Sequence, residues 1–222
     1  MSIAAFLLPF ALMQAEAASA PAPTGRFGQC VALIDSDPAR AYEEAMAWAA
    51  DGHSLDAYRC AALALVAQNR NGEAARRFES LAESINPAQT GARAELWSQA
   101  GNSWLLARDP AHARSAFARG IATLQREPEA QPDLLIDRAR SYAMESDYRA
   151  AEEDLSRALD IRPHDALALR LRASARMHQN SFDLAQADAE TAVALAPSDV
   201  DALLMLGHTR EAKRTGVAVM EQ

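Results

Sequence analysis

The side chains that could do chemistry are few, and their spacing forms no familiar catalytic arrangement. The five histidines are His53, His112, His164, His178 and His208. None stands in an H-E-x-x-H pattern or beside a cysteine at the spacing of metal ligands. No serine occupies a G-x-S-x-G turn, and no glycine-rich loop could hold a phosphate. The sequence therefore predicts a protein that is not an enzyme and uses no cofactor.

Two histidines stand close to methionines and suggest an alternative. His178 follows Met177 directly, and His208 lies shortly after Met205. If the helices that carry them are neighbours, their thioether and imidazole groups could hold a soft metal such as copper. The preferred interpretation is that the methionines fill gaps in a core and the histidines lie at its edge. No metal site is predicted, and a copper titration would test this.

The carboxylates do not indicate a general acid and base. The segment Glu152-Glu153-Asp154 lies on a predicted outer helix, where a solvated face is the ordinary explanation. The whole chain has a net charge of −8, which argues against nonspecific binding to nucleic acid. Half of the residues are hydrophobic and only 6% are aromatic, a balance that favours long helices packed through small residues.

The histidines, methionines and carboxylates discussed above lie in or near a sequence repeat. Residues 132–165 and 166–199 carry one 34-residue pattern twice. The first copy contains Leu135, Arg138, Ala139, Tyr142, Tyr148, Ala151, Leu155, Ala158 and Pro163, and the second contains Leu169, Arg172, Ala173, Arg176, Phe182, Ala185, Ala189, Ala192 and Pro197. Apolar or small residues recur every three or four positions, and a polar break divides each copy. Each copy is therefore predicted to be two antiparallel helices that end at proline, and such pairs must stack to bury their apolar faces.

This pattern resembles the tetratricopeptide repeat family. Two further copies lie upstream: Tyr58, Ala61, Ala62, Leu65, Ala74, Phe78 and Leu81, then Trp97, Ala100, Gly101, Trp104, Ala113, Phe117 and Gly120. The resemblance implies an all-α, right-handed α-solenoid of stacked antiparallel helix pairs. We expect four repeats at about residues 55–88, 94–127, 132–165 and 166–199. A capping helix at about residues 200–214 should cover the fourth pair with Leu203, Leu206 and Gly207.

The N-terminal residues suggest export. Residues 3–13 form an apolar run that is too short for a membrane span, and small residues suited to signal peptidase follow it. We predict a cleaved signal at residues 1–20, then a short linker and a degenerate helical pair at residues 21–50. The mature chain is expected in the periplasm or outside the cell, with no stable membrane span. The alternative is a cytoplasmic protein with an apolar tail.

The cysteines Cys30 and Cys60 each fall in the first helix of a predicted pair. First helices of consecutive pairs are neighbours in a solenoid, so the two thiols could form a disulfide in an oxidising compartment. The alternative is two reduced, buried thiols that behave as small hydrophobic side chains.

The resemblance also implies where a partner would bind. In this family the first helices line a concave surface that holds extended peptides or partner helices. Counting along these helices places five polar residues there: Arg59, Asn102, Arg140, Arg170 and Ser174. They should alternate with Leu63, Leu105, Ile136 and Met177. Arginine can bind carboxylates in a bidentate manner, although each arginine could instead be solvated or paired within the chain.

The expected function is therefore noncatalytic binding of a protein or extended peptide, in the bacterial cell envelope. An alternative is a structural or assembly subunit that acts through oligomerisation, and the sequence does not indicate an oligomeric state. The lysine and asparagine arrangement with which some members of the family clamp carboxylates is not reproduced. Binding of chaperone tails is therefore not expected.

Overall fold

The computed structural model describes residues 25–52 and 54–218, and every regular element within these ranges is helical. The predicted signal at residues 1–20 lies outside the described residues. In chain order the helices are α1 (Gly25–Ser36), α2 (Pro38–Gly52), α3 (Leu55–Ala67), α4 (Asn71–Ser84), α5 (Thr90–Leu106), α6 (Pro110–Thr123), α7 (Pro132–Met144), α8 (Tyr148–Ile161), α9 (Ala166–His178), α10 (Phe182–Leu195) and α11 (Val200–Thr215). A 3₁₀ turn, Pro128–Ala130, precedes α7.

Consecutive helices pack side by side, and the pairs stack along one direction. Helices α3 and α4, α5 and α6, α7 and α8, and α9 and α10 form the four pairs, with α1 and α2 before them and α11 after them. First helices of neighbouring pairs also touch, as α5 touches α7 and α9 touches α11. The largest hydrophobic cluster runs from Ala62 to Ala202, and a second cluster of α9, α10 and α11 adjoins it at Val193, which packs against both. None of the helices in the described ranges is long and apolar enough to cross a lipid bilayer.

A tight turn of the same kind joins the two helices of each of the four pairs. One residue in each turn has a left-handed backbone conformation: Asn69, Arg108, Ser146 and Asn180, with φ between 59° and 62°. The next N–H donates back to the first helix, as Arg70 does to the Leu65 carbonyl at 2.9 Å and Ser181 to the Arg176 carbonyl at 2.9 Å. This bond satisfies carbonyls that the helix end leaves free, and it reverses the chain within a few residues.

Aspartates begin several of the helices. Asp109 accepts a hydrogen bond from the N–H of His112 at 3.1 Å, and Asp147 accepts one from the N–H of Ala150 at 3.1 Å. Asp37 does the same for the N–H of Arg40 at 3.0 Å, at the start of α2. These bonds satisfy backbone donors that the first helical turn leaves without partners.

Ion pairs join the two helices within each of the last two pairs. Arg138 of α7 donates to both carboxylate oxygens of Asp154 in α8, at 2.7 and 2.6 Å. Arg172 of α9 makes the equivalent bonds to Asp188 of α10, at 2.8 and 2.9 Å. These hydrogen bonds raise the pKa of both arginines. The interpretation of Asp154 as part of a solvated face is wrong, because the side chain is buried under Arg138.

A second ionic contact connects the third pair to the fourth. Arg176 donates to Glu152 of α8 at 2.7 Å and also to Asp188 at 2.7 Å. Gln179 donates to the other carboxylate oxygen of Glu152 at 2.7 Å. Burial by itself would raise the pKa of Glu152, but the hydrogen bonds from Arg176 and Gln179 outweigh it and the pKa is lowered. Four charged or polar side chains therefore hold α8, α9 and α10 together.

The N-terminal end is attached differently. Cys30 in α1 and Cys60 in α3 are joined by a disulfide, with their Cα atoms 6.3 Å apart. Cys30 is the one buried residue of α1. A small separate cluster surrounds the disulfide and includes Ala45 and Ala61, with Phe27 packed against it. Little apolar surface of α1 is therefore buried, and the disulfide connects it to α3 together with the contact of Arg59 on the Phe27 ring.

Candidate partner-binding groove

A groove of about 810 Å³ opens between the first helices of three consecutive pairs. The C-terminal halves of α5, α7 and α9 form its sides, and residues of α8 close its floor. Its lining residues are Asn102, Leu105, Leu106, Arg108, Ala139, Arg140, Ala143, Met144, Tyr148, Ala151, Leu155, Leu171, Ser174, Ala175 and His178. The groove is open to solvent along its length and is large enough for a peptide segment.

The floor of the groove is apolar because the middle helix carries small residues there. Ala139 and Ala143 of α7 leave space above Ala151 and Leu155 of α8. Exposed apolar side chains stand at the rim, where Leu106 is 59% and Met144 is 45% accessible. An apolar side chain of a ligand would be removed from water on this floor, which is favourable.

Polar groups lie along the sides of the groove. Asn102 of α5 donates to Asp137 of α7 at 3.1 Å, and Arg140 also donates to Asp137 at 3.2 Å. Asp137 therefore orients both side chains. The Arg140 side chain stays 53% accessible, so its remaining donors can reach a carboxylate or backbone carbonyl of a ligand. Ser174 of α9 also lines the groove.

An aromatic pair lies at the end of the groove. The rings of Tyr148 and His178 stack with their centroids 4.1 Å apart and their planes 7° from parallel. Tyr148 begins α8 and His178 ends α9, so the stack connects the third pair to the fourth. Both rings belong to the groove lining and lie where α9 ends.

The structure brings three of the five predicted groove residues together, namely Asn102, Arg140 and Ser174. Arg59 lies over the ring of Phe27 at 5.1 Å and pairs with Asp56 at 3.5 Å. It is in α3, beyond the helices that line this groove.

Arg170 is also outside the groove lining. It lies near the N-terminal end of α9 and pairs with Asp201 of α11 at 3.6 Å. Its Nε atom is buried without a hydrogen-bond partner. Arg170 therefore pairs within the chain, which was the alternative to ligand binding for each of the predicted groove arginines.

Two of the predicted apolar groove residues are elsewhere. Ile136 and Met177 are 3% and 1% accessible, so their placement on the groove surface is wrong. Both side chains point into the core instead, because they lie on the faces of α7 and α9 that other helices cover. Leu105 does line the groove.

Sequence reasoning missed the residues at the helix ends, above all Leu106, Arg108 and Met144. They follow the last periodic positions of α5 and α7, and Arg108 has the left-handed turn conformation. The available signal in the sequence was a leucine or methionine at the end of a helical pattern, just before a polar break.

The metal alternative receives no geometric support from these residues. Met177 and Met205 are buried in one cluster with Ala173 and Ala185. The His178 ring stacks on Tyr148. Within residues 25–52 and 54–218, no group of three or more His, Cys, Asp or Glu side chains is arranged to hold a metal ion.

Solved structures with a similar fold are tetratricopeptide-repeat proteins. YrrB, described as a TPR protein with an unusual peptide-binding site, has 16% identity and a TM-score of 0.60, with 79% of this chain and 87% of that chain covered. PilF of Pseudomonas aeruginosa has 18% identity and a TM-score of 0.60, with 82% and 79% covered. The second TPR domain of human RPAP3 has 25% identity and a TM-score of 0.50, with 56% and 98% covered.

The chain folds as a solenoid of the tetratricopeptide-repeat type, similar to these proteins. These similarities confirm the predicted resemblance to that family and the predicted stacking of antiparallel helix pairs. No protein-family model matches the chain, and no curated protein matches it.

Proposed function

We propose that this protein is a noncatalytic scaffold that holds an extended peptide segment of a partner protein in the groove between α5, α7 and α9. The observation that carries the proposal is the groove itself, about 810 Å³ with an apolar floor and polar sides. Because packed helices build its walls, the site is already formed without a ligand. Binding then requires little ordering of the scaffold, which favours affinity.

The lining indicates the chemistry of the peptide. Arg108 and Arg140 supply two positive charges at the groove, and Asn102 can pair with a peptide backbone. Leu106 and Met144 offer exposed apolar contacts beside them. A segment that combines apolar side chains with one or two carboxylates fits this arrangement better than a basic segment does.

A related domain supports this type of ligand. The second TPR domain of human RPAP3 is described in complex with an HSP70 peptide of sequence SGPTIEEVD, which contains acidic and apolar residues. We transfer from it only the class of ligand, a peptide with acidic and apolar residues, and not the binding of chaperone tails. The residues that recognise the peptide here are those of the groove described above.

We infer the cellular setting from the N-terminal sequence. The apolar run and small residues at positions 1–20 support export to the bacterial cell envelope, where the partner would also reside. The disulfide between Cys30 and Cys60 is compatible with an oxidising compartment. Secretion of a tagged chain, with and without residues 1–20, tests the location.

Site-specific crosslinking in the native organism tests the groove. A photoreactive amino acid at Met144 in the groove rim should capture a partner protein. The same group at Leu184 of α10, which is 53% accessible and outside the groove lining, is the matched control and should not. Equal capture from both positions would remove the groove as the binding site.

Charge reversal tests the role of the arginines. Arg140→Glu should reduce the Met144 crosslink about tenfold or more, because a carboxylate of the ligand then meets a like charge. Arg149→Glu, at an 86% accessible position on α8, is the control and should leave the crosslink unchanged. Circular dichroism of both variants should show the helicity of the wild type. An undiminished crosslink in Arg140→Glu would contradict the assigned chemistry.

A further inference from the structure

Helix α11 has an exposed apolar face. Val200, Leu203 and Leu204 are 65%, 45% and 54% accessible, and Gly207 continues the same face one turn later. The opposite face carries the buried residues Ala202, Met205, Leu206, Thr209 and Ala212. The expectation that Leu203 and Gly207 cover the fourth pair is wrong, because the helix turns Leu206 and its neighbours toward that pair instead.

The repeat explains what normally covers this face. Leu169 and Ala173 of α9 lie 34 residues before Leu203 and Gly207. They are only 5% and 0% accessible, and α10 packs against the helix that carries them. Leu203 and Gly207 thus continue the surface on which α9 receives its second helix. Within the described residues no helix occupies that place beside α11.

Gly207 is a specific part of this surface. Its equivalent in the second pair is Gly101, where an added Cβ would lie 2.6 Å from Cζ of Phe117. Glycine at that position lets a large side chain of the second helix approach the backbone closely. A Cβ at Gly207 would meet nothing within 4 Å. Glycine inside a helix costs stability relative to alanine, and at Gly207 no contact among the described residues offsets that cost.

We propose that this face docks an amphipathic α-helix of another polypeptide, which packs as the second helix of a fifth pair. The docked helix runs antiparallel to α11 and places a large apolar side chain against Gly207, as α6 places Phe117 against Gly101. A small residue lies one turn before that side chain, as Ala113 does in α6. Val200, Leu203 and Leu204 contact the rest of its apolar stripe.

The face of α11 ends in a polar segment. Glu211 and Arg214 follow Gly207 on the same side of α11 and pair with each other at 2.5 Å. Because these two charges offset each other, they do not select the direction of a partner helix. The antiparallel direction follows from the repeat, since in each of the four pairs a tight turn returns the second helix along the first.

A peptide from the protein itself serves as the probe. A fluorescent peptide with residues 109–124 contains α6 and its capping aspartate, and its binding to the full chain is measured by anisotropy. We expect saturable binding to the wild type, and binding weaker by about tenfold or more when Phe117→Ala is made in the peptide.

Variants of the full chain locate the binding. Leu204→Glu and Gly207→Gln should each weaken binding by about tenfold or more, because one introduces a charge and the other blocks close approach. Leu204 is exposed, and a Cβ at Gly207 would meet nothing within 4 Å, so both variants should keep the fold. Leu184→Glu, at 53% accessibility against 54% for Leu204, is the matched control and should bind as the wild type does. Arg140→Glu should also bind normally, which separates this face from the groove.

Two results would overturn the proposal. The first is an absence of binding to the wild type, or binding that Leu204→Glu and Gly207→Gln leave unchanged. The second is a wild-type dimer in light scattering that Leu204→Glu dissociates, since a second copy of the chain would then be what covers the face.

Discussion

Two glycines at equivalent positions of the repeat have different structural environments. Gly101 and Gly207 occupy the same place in the repeat, yet Phe117 packs directly on the first, and only open space lies beside the second. The close approach at Gly101 matters because protein interiors are densely packed and a single methyl group cannot be added without displacement.

This contrast predicts opposite effects of the same substitution. Gly101→Ala should lower the free energy of unfolding by about 1–3 kcal/mol, because the Phe117 ring must move. Gly207→Ala should leave it unchanged or raise it by about 0.5–1 kcal/mol, because alanine is the better helix former. Urea unfolding followed by circular dichroism measures both. Equal effects at the two sites would mean that Phe117 is not packed against Gly101.

At the level of the helices, the ion pairs replace apolar contacts found in the earlier pairs. Arg138 and Asp154 occupy positions that hold Ala100 and Ala116 in the second pair. Arg138 is 16% and Asp154 is 5% accessible in their side chains, so both charges are largely withdrawn from water. Such a pair contributes little net stability compared with apolar residues, but it is costly to break.

That asymmetry is testable. Asp154→Leu should destabilise the protein by about 3–5 kcal/mol, because Arg138 is left without its partner inside the structure. Adding Arg138→Leu should restore stability to within about 1 kcal/mol of the wild type. Glu153→Leu at the neighbouring exposed position is the control and should change little. Urea unfolding again gives the values, and a double variant no more stable than Asp154→Leu would refute the argument.

The whole molecule is held together unevenly along its length. The core continues from the first of the four pairs into α11, whereas α1 buries one residue and depends on its disulfide. In a solenoid each unit contacts only its neighbours, so α1 can detach without unfolding the rest. The connection of α1 should therefore respond to redox conditions while the groove does not.

Reduction of Cys30–Cys60 should destabilise the N-terminal region by about 3–4 kcal/mol, from the entropy of opening a loop of this length. Unfolding measured with and without reductant tests the value. A variant with Cys30→Ala and Cys60→Ala should be insensitive to reductant. The intact mass of the protein without reductant should be two hydrogens lower than that of the reduced chain. A mass equal to that of the reduced chain would rule out the disulfide.

The helix pairs could be predicted from the sequence because the residue patterns that specify them are local. The spacing of Leu135, Ala139 and Tyr142 follows from which face of one helix is buried, and Asp147 and Pro163 mark its partner's ends. Part of the groove could be predicted from the sequence for the same reason. Asn102, Arg140 and Ser174 occupy corresponding faces of successive first helices.

Only the tertiary structure decided which of those faces are covered. Asp154 is buried under an arginine 16 residues away, Arg170 is turned toward α11, and the face of α11 around Gly207 is bare. A period in the sequence specifies that residues share a side of a helix. Whether that side meets another helix, an opposite charge or water depends on contacts between segments far apart in the chain, and those contacts leave no local pattern.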